Sequence, residues 1–241
     1  MTDNEISIIA KYFKENIKNI APLGNGYFYN HLSLCIIDAV WSIGVKYEGV
    51  QNVVTRYYVN RELVPYREEF LRKSFQYPDI KNQESITTFL QYLKCFSNEE
   101  LSNKIFKNKQ RTSTKNGILK SEAVVKFTEV LLKYYVNYFQ DIEIKIKGNK
   151  LFEHDIKNIP GQKSGICLDY FFMLSGDENK IKPDRMIKRF LATPLKNVSE
   201  KNISINEAQE VCQKLFMELN DKRITSIRHL DNLIWNFQRS K

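Results

Sequence analysis

The spacing of apolar residues in this chain is that of helices almost throughout. Apolar side chains recur at intervals of three and four residues, the period of one helix face, and almost no segment alternates in the manner of a strand. The exception is residues 142–148, IEIKIKG, where the alternation is consistent with a short strand. We therefore predict an all-α protein of about a dozen helices joined by short connections.

Charge gives a first indication of the partner. The chain has a net charge of +9 and a pI near 9.2, and a basic surface gains affinity for nucleic acid by releasing the counterions condensed on it. A lysine-rich composition inherited from an AT-rich genome explains the same charge. Charge alone therefore does not establish nucleic-acid binding.

Cysteine usage and the N-terminus indicate the compartment. Cys35, Cys95, Cys167 and Cys212 are scattered without a CxxC pair or a close histidine, which indicates neither a zinc site nor an iron–sulfur cluster. We expect buried thiols, no metal and no cofactor. The N-terminus lacks the pattern of a secretion signal, and no apolar run approaches the length of a membrane span. We therefore expect a cytoplasmic protein in a reducing environment, with no membrane partner.

The most informative segment is a tight turn between two predicted helices, at residues 159–165. Pro160 and Gly161 end one helix, and apolar residues from Ile166 onward begin the next. Backbone N–H groups near the start of the second helix point outward together in such a hairpin and form an anion site suited to a DNA phosphate, which glycines allow to approach closely. The predicted DNA contacts in this turn are Gly161, Gln162, Lys163, Ser164 and Gly165.

This hairpin and the residues after it resemble the helix-hairpin-helix DNA glycosylase superfamily, which includes endonuclease III. That family has a hairpin of the form hPGhG, where h is apolar, then a helix that ends in Gly, and a catalytic Asp beyond it. The match consists of IPG at residues 159–161, Gly176 at the helix end, and Asp184 at the Asp position with one residue of insertion. The resemblance implies a protein that binds DNA and excises bases.

A weaker similarity concerns residues 31–58, which resemble an early helix, loop and helix whose loop enters the DNA duplex in that family. Residues 119–125 resemble a later helix start, so the resemblance covers roughly residues 30–192. Trp41, before the loop, is expected in the core. Because the base must be extruded and held, the resemblance implies wedge or base-pocket residues in the loop, at Ile43, Val45, Lys46 and Tyr47. Asp38 lines the same pocket, is an exposed acid, or forms a structural salt bridge.

The resemblance also implies a two-lobed helical fold. Residues 26–148 are expected to form a central lobe. Residues 1–25 and 149–241 are expected to form a second lobe, which contains the hairpin. We expect a monomer that acts on double-stranded DNA.

Asp184 has two compatible interpretations. An aspartate that follows a proline and precedes a helix is a common N-cap, whereas the resemblance implies catalysis. Cleaving an N-glycosidic bond develops positive charge on the sugar, and a carboxylate stabilises that charge or activates the attacking water. Alignment without gaps puts Gly165 at the position of the family's Schiff-base lysine. We therefore predict a monofunctional, hydrolytic enzyme, with Lys163 as a phosphate contact.

Two groups of basic residues are further candidate DNA contacts. Between Glu100 and Glu122 the chain has no acid, and its basic residues there are Lys104, Lys107, Lys109, Arg111, Lys115 and Lys120. From these we select Lys109 and Arg111 as phosphate contacts, with a solvated surface as the alternative. The second group, Arg185 and Lys188, directly follows Asp184.

Together these features predict hydrolytic excision of a damaged or modified base from double-stranded DNA, with Asp184 as the catalytic carboxylate. The alternative is a non-catalytic nucleic-acid-binding protein that keeps the hairpin for docking. His229 and Asp231 lie in a C-terminal segment with the apolar spacing of a packing helix, and we assign them no catalytic role.

Overall fold

The fold is helical, as predicted. The computed structural model describes residues 1–74 and 76–241, and its named elements there are helices, with no named β-strand. In chain order the α-helices are α1 (Asp3–Asn16), α2 (Leu32–Trp41), α3 (Tyr47–Asn60), α4 (Glu69–Lys73), α5 (Ile86–Lys94), α6 (Asn98–Glu100), α7 (Lys120–Lys133), α8 (Ile142–Lys145), α9 (Lys150–Lys157), α10 (Ile166–Leu174), α11 (Arg185–Ala192), α12 (Ile205–Leu219) and α13 (Ile227–Arg239). A π-helix (Leu101–Ile105) continues α6, and single 3₁₀ turns cover Asn25–Tyr27, Ile80–Asn82 and Phe139–Asp141. Across the same described residues, no helix has both the length and the apolar character needed to cross a membrane.

The chain divides into two compact units. The terminal unit consists of Met1–Gly24 and Asp177–Lys241, and the central unit is Asn25–Gly176. The boundary therefore lies after Gly176, whereas the sequence predicted it after residue 148. The physical reason is packing, because α9 contacts α7 and α10 contacts α2. The hairpin thus belongs to the central unit.

The central unit is built around α2, in which all ten residues are buried. Helices α3, α7 and α10 pack against it. Eight of these ten residues are apolar, and a helix that is apolar on every face is buried on every face. Trp41 lies in the core as expected, with its ring 4.6 Å from that of Phe106 between centroids.

The terminal unit has its own core, formed by apolar stripes of four helices. Phe13 of α1 packs edge-on against Phe190 of α11, with ring centroids 6.2 Å apart. His229 of α13 is buried, and its Nε2 lies 2.8 Å from the carbonyl oxygen of Ala21. This contact ties the end of the N-terminal segment to α13, which agrees with a packing role for His229.

The short strand considered at residues 142–148 is wrong, because α8 begins there. Ile142 and Ile146 are buried, whereas Ile144 is 86% exposed. In a helix, residues four positions apart lie on the same face, so this burial pattern is that of a helix. The sequence alternates only because an exposed isoleucine lies between the two buried ones.

Three of the four predicted buried thiols are buried, namely Cys35, Cys167 and Cys212. Burial raises the pKa of Cys212 well above its ordinary range, so this thiol stays protonated. Cys95 is exposed, contrary to the prediction. It follows the last residue of α5, where the chain leaves the helix on its solvent side.

His31 joins the start of α2 to two other segments. Its Nδ1 accepts a hydrogen bond from the N–H of Glu84 at 2.8 Å, and its Nε2 lies 3.0 Å from the carbonyl oxygen of Val64. The neutral ring makes both contacts if Nε2 carries the proton. Burial lowers the pKa of His31 to about 4, and the bond to Val64 offsets this only in part.

We predict a loss of stability in mild acid that depends on His31. Between about pH 6.5 and pH 4 the unfolded chain holds a proton on this residue that the folded chain does not, because the folded pKa is the lower one. The free energy of unfolding should therefore fall through this window as the pH decreases, by about 3 kcal/mol from His31. Urea unfolding of wild type and His31→Gln measures this, and the variant should lose less stability over the same pH range. Equal losses would contradict the prediction.

Candidate nucleic-acid interface and buried carboxylates

The predicted hairpin is a well-formed turn between α9 and α10. The N–H of Gln162 donates to the carbonyl of Ile159 at 2.9 Å, and the N–H of Gly165 donates to the carbonyl of Gln162 at 3.0 Å. Gly161 and Gly165 have φ values of +86° and +82°, a backbone region that side chains disfavour. Two left-handed glycines and an internal pair of hydrogen bonds thus close the turn.

Not all five predicted contacts of the turn are available to DNA. Gln162 is 2% exposed, so its side chain faces the protein and the prediction for it is wrong. Gly165 is buried and its N–H is used within the turn. Lys163 and Ser164 are exposed, and their N–H groups donate to no protein acceptor within residues 1–74 and 76–241. Together with exposed Gly161, they are the part of the turn that can receive an anion.

The basic loop before α7 lies against this turn. A Cβ on Gly161 would be 2.4 Å from the Cβ of Thr112, so the glycine permits close packing of the loop on the hairpin. The loop is itself ordered, since the N–H of Thr112 donates to the carbonyl of Ile118 at 2.9 Å and Arg111 Nη1 donates to the carbonyl of Gly117 at 2.7 Å. Residues Lys109 and Arg111 are exposed beside Thr112. We name the following set the hairpin surface: Gly161, Lys163, Ser164, Lys109 and Arg111.

Asp184, in the terminal unit, is the N-cap of α11. Its Oδ1 accepts hydrogen bonds from the N–H groups of Met186 at 2.7 Å and Ile187 at 3.3 Å. Its Oδ2 lies 3.9 Å from Lys182 Nζ, and the side chain is 23% exposed. One oxygen is therefore held by the helix, while the carboxyl group still reaches solvent. The N-cap interpretation is confirmed.

Asp231 of α13 is a second carboxylic acid close to Asp184. Its Oδ1 accepts a hydrogen bond from the N–H of Lys182 at 3.0 Å. Burial raises the pKa of Asp231 well above its ordinary range, and the negative charge of Asp184 raises it further. The sequence analysis considered Asp231 and gave it no catalytic role, but it did not predict that Asp231 lies close to Asp184. The available signal was an acid four residues after Ile227, on the stripe that α13 buries.

The basic residues after Asp184 differ in exposure. Arg185 is exposed, whereas Lys188 is half-buried. Arg189, one turn after Arg185, is engaged by Glu200, with its Nε 3.1 Å from a carboxylate oxygen. Arg185 is therefore the basic residue of α11 that is most open to an anion.

The predicted wedge residues lie in the loop between α2 and α3. Ile43 and Val45 are half-buried and pack against the core, and Lys46 is exposed just before α3. The apolar side chains at these positions are thus partly used in packing. Only part of their surface is available to another molecule.

Lys120 is buried and holds this loop. Its ammonium group donates to the carbonyls of Trp41 and Ile43, each at 2.8 Å, and the residue is 1% exposed. These carbonyls lie at the C-terminal end of α2, where the helix dipole favours a cation. Lys120 is therefore not part of an exposed phosphate-binding stretch.

Asp38 is fully buried, so the interpretation as an exposed acid is wrong. The hydroxyl of Tyr29 donates to its Oδ2 at 2.8 Å, and the hydroxyl of Tyr47 lies 3.4 Å from the same oxygen. The ring of Tyr29 stacks on that of Tyr66 at 5.6 Å, and Tyr170 hydrogen-bonds to Tyr47. With Tyr27, which interacts electrostatically with Tyr47 and Tyr170, they form what we name the tyrosine cluster: Tyr27, Tyr29, Tyr47, Tyr66 and Tyr170.

Burial and the nearby charge of Asp38 raise the pKa of three tyrosines of this cluster. Burial raises the pKa of Tyr29 well above its ordinary range, and the charge of Asp38 raises it further. Burial has the same first effect on Tyr47 and Tyr170, again with Asp38 as a second cause. Tyr29, Tyr47 and Tyr170 therefore keep their hydroxyl protons beside Asp38.

Comparison with known families covers nearly the whole chain. A family of unknown function, Domain of unknown function (DUF8548), matches residues 7–239. The chain belongs to this family. No curated protein and no solved structure matches it. The match includes parts of both units, so the hairpin surface, Asp184 and the tyrosine cluster all lie within the DUF8548 domain.

Replacing Lys120 in this DUF8548 domain should loosen the loop between α2 and α3. Lys120→Met removes the hydrogen-bond donor of two inward-facing carbonyls. Because these buried acceptors would then have no hydrogen bond, the free energy of unfolding should fall by about 1–3 kcal/mol. Urea unfolding measures the loss, and hydrogen exchange should quicken at residues 42–46. Lys109→Met, at an exposed lysine, is the control and should change neither quantity. Unchanged exchange in the Lys120 variant would contradict the assignment.

Proposed function

We propose that this protein binds double-stranded DNA and hydrolyses the N-glycosidic bond of a damaged or modified base. The observation that carries the proposal is the hairpin surface, in which a turn with two left-handed glycines presents unused N–H groups beside exposed basic side chains. The resemblance of residues 159–184 to helix-hairpin-helix glycosylases supplies the reaction.

The hairpin surface contributes the binding of a phosphate. The N–H groups of Lys163 and Ser164 lie just before the start of α10, where the partial positive charge of a helix N-terminus favours an anion. Lys163 and Arg111 add positive charge on the same surface. Such contacts hold the backbone of DNA without reading its sequence.

Asp184 is the proposed catalytic residue. The two N–H groups of α11 fix the direction of its carboxylate, and a fixed carboxylate stabilises the positive charge that develops on the sugar. In the hydrolytic step the oxygen of a water molecule bonds to C1′ of the sugar as the bond from C1′ to the base nitrogen breaks. The bonding electrons leave with the base, and the carboxylate accepts the proton of the water.

The structure of the turn agrees with a hydrolytic reaction that uses no Schiff base. Gly165, at the aligned lysine position, has no side chain. A Cβ at this position would lie 3.0 Å from Cε of Lys157. Lys157 is an exposed residue of α9 that lies within 3.9 Å of Glu153. We therefore assign no covalent step.

Replacing Asp184 tests the reaction separately from binding. Asp184→Asn keeps an N-cap of similar strength and should therefore fold and bind DNA like the wild type. It should lose abasic-site formation by at least about a hundredfold, as expected when a charge-stabilising group is removed. The assay is alkaline cleavage of duplexes that carry different modified bases. Unchanged excision by the variant would remove Asp184 from the mechanism.

The same screen decides between the enzyme and a binding module. If no modified duplex yields abasic sites with wild-type protein while binding persists, the hairpin serves docking alone. Asp184 is then only the cap of α11.

Lys163 should act through phosphate and not through base sequence. Lys163→Ala should weaken binding of all duplex sequences alike and reduce the slope of log affinity against log salt by about 1. Lys11→Ala, at an exposed lysine of α1, removes the same charge and is the control. Fluorescence anisotropy over a salt series measures both. A loss confined to particular sequences would contradict the phosphate role.

A further inference from the structure

A cleft of about 630 Å³ lies in the central unit, between the end of α3 and the start of α5. Its volume is typical of clefts that bind small molecules. None of the residues assigned above to DNA binding or catalysis lines it. We name it the α3–α5 cleft, and its lining includes Arg61, Glu62, Leu63, Glu68, Leu71 and Glu84.

Hydrogen bonds hold the walls of this cleft in place. Nδ2 of Asn30 donates to the carbonyls of Val64 at 3.0 Å and Tyr66 at 2.9 Å. His31 Nε2 lies 3.0 Å from the same Val64 carbonyl, and its Nδ1 accepts from the N–H of Glu84. Because the walls are held without a ligand, a ligand that binds there has little ordering of the protein to offset.

Arg61 offers the cleft a fixed guanidinium group. Its Nε donates to Oε1 of Glu84 at 3.3 Å, and its guanidinium carbon lies 4.3 Å from the ring centroid of Tyr92. Glu84 is itself held by the hydroxyl of Tyr57 at 2.9 Å, and its side chain is 2% exposed. Nη1 and Nη2 of Arg61 donate to no protein acceptor within residues 1–74 and 76–241. A guanidinium held through Nε with both outer nitrogens open is suited to a bidentate contact with a carboxylate.

Two exposed acids, Glu62 and Glu68, line the same cleft. In the described part of the chain neither carboxylate forms an ion pair, and both can therefore attract a positive group of a ligand. Glu62 follows α3 with a φ of +53°, a region in which glycine is the least strained residue. The chain thus carries a carboxylate where its backbone favours glycine, and such positions are common at ligand contacts.

An apolar part of the lining completes the cleft. Leu63 and Leu71 are half-buried and Pro78 is buried, and all three line the cleft. The α3–α5 cleft therefore combines an open guanidinium group, two unpaired carboxylates and apolar surface. A ligand with a single charge would satisfy only one of the two charged parts.

We propose that the α3–α5 cleft binds an α-amino acid with an apolar side chain. Arg61 holds the carboxylate of the amino acid, Glu62 and Glu68 attract its ammonium group, and Leu63 and Leu71 contact its side chain. The proposal does not rest on the glycosylase function, because no contact in the cleft involves DNA.

Three matched probes test the proposal on the full chain by isothermal titration calorimetry. They are L-leucine, 3-methylbutylamine, which lacks only its carboxylate, and 4-methylpentanoate, which lacks only its ammonium group. We expect the amine to bind about tenfold more weakly than leucine, since a charged hydrogen bond at a half-buried arginine is of that size. The acid should bind about threefold more weakly, because the contacts to Glu62 and Glu68 are exposed to solvent.

The same titrations contain the results that would overturn the proposal. These are no binding of L-leucine at millimolar concentration, or an amine that binds as tightly as leucine. An acid that binds as tightly as leucine would show an anion site in place of an amino-acid site.

Variants assign the recognition to these residues. Arg61→Lys keeps the charge but not the fork, and it should weaken leucine binding about tenfold while leaving the amine unchanged. Glu62→Gln combined with Glu68→Gln should remove the difference between leucine and 4-methylpentanoate. Glu210→Gln, at an exposed acid of α12, is the control and should change neither.

Thermal unfolding checks that each variant is folded. If Arg61→Lys does not fold, the two exposed acids decide, and an unchanged difference between leucine and 4-methylpentanoate in their double variant overturns the proposal. Because these titrations contain no DNA, leucine binding without abasic-site formation retains the cleft and counts against the glycosylase. Abasic-site formation without leucine binding retains the glycosylase and rejects the cleft.

Discussion

Because α2 is buried on all sides, polar groups at its start, middle and end depend on partners from other segments of the central unit. His31 at its start contacts Glu84 and Val64, Asp38 in its middle accepts from tyrosine hydroxyls, and the carbonyls at its end accept from Lys120. A buried polar group without a hydrogen bond lowers stability by more than one satisfied hydrogen bond raises it. The segments that supply these partners therefore have to assemble together with α2, which makes folding of the central unit cooperative.

The candidate functional elements of this unit are connected to α2 by the same contacts. The tyrosine cluster surrounds Asp38, and the loop with Ile43 and Val45 leaves the end that Lys120 holds. Helix α10 packs against α2, begins directly after Gly165, the last residue of the hairpin turn, and carries Tyr170. Helix α2 therefore contacts both the helix that follows the hairpin turn and the tyrosine cluster within the central unit.

The sequence was sufficient where the determining forces are local. Helical spacing predicted the all-α fold, and the Pro and Gly residues of 159–165 predicted the tight turn, whose two glycines have positive φ in the structure. It was not sufficient where a distant segment decides burial. Lys120 and Gln162 look like surface residues by type, yet both are buried by partners far along the chain or by packing. The contact between Asp231 and Lys182 was not predicted for the same reason, because only folding brings the two residues together.

Residues 142–148 and Asp184 show two further limits of local information. In the first case alternation and helical spacing fit the same three isoleucines, and only the packing of α8 distinguishes them. In the second case, a helix N-cap and a catalytic carboxylate both require an aspartate at position 184. A cap fixes one carboxylate oxygen on two backbone N–H groups, and a fixed side chain is what stabilisation of a developing charge requires. Confirmation of the cap therefore leaves the catalytic proposal intact, since the cap supplies the rigidity on which that chemistry depends.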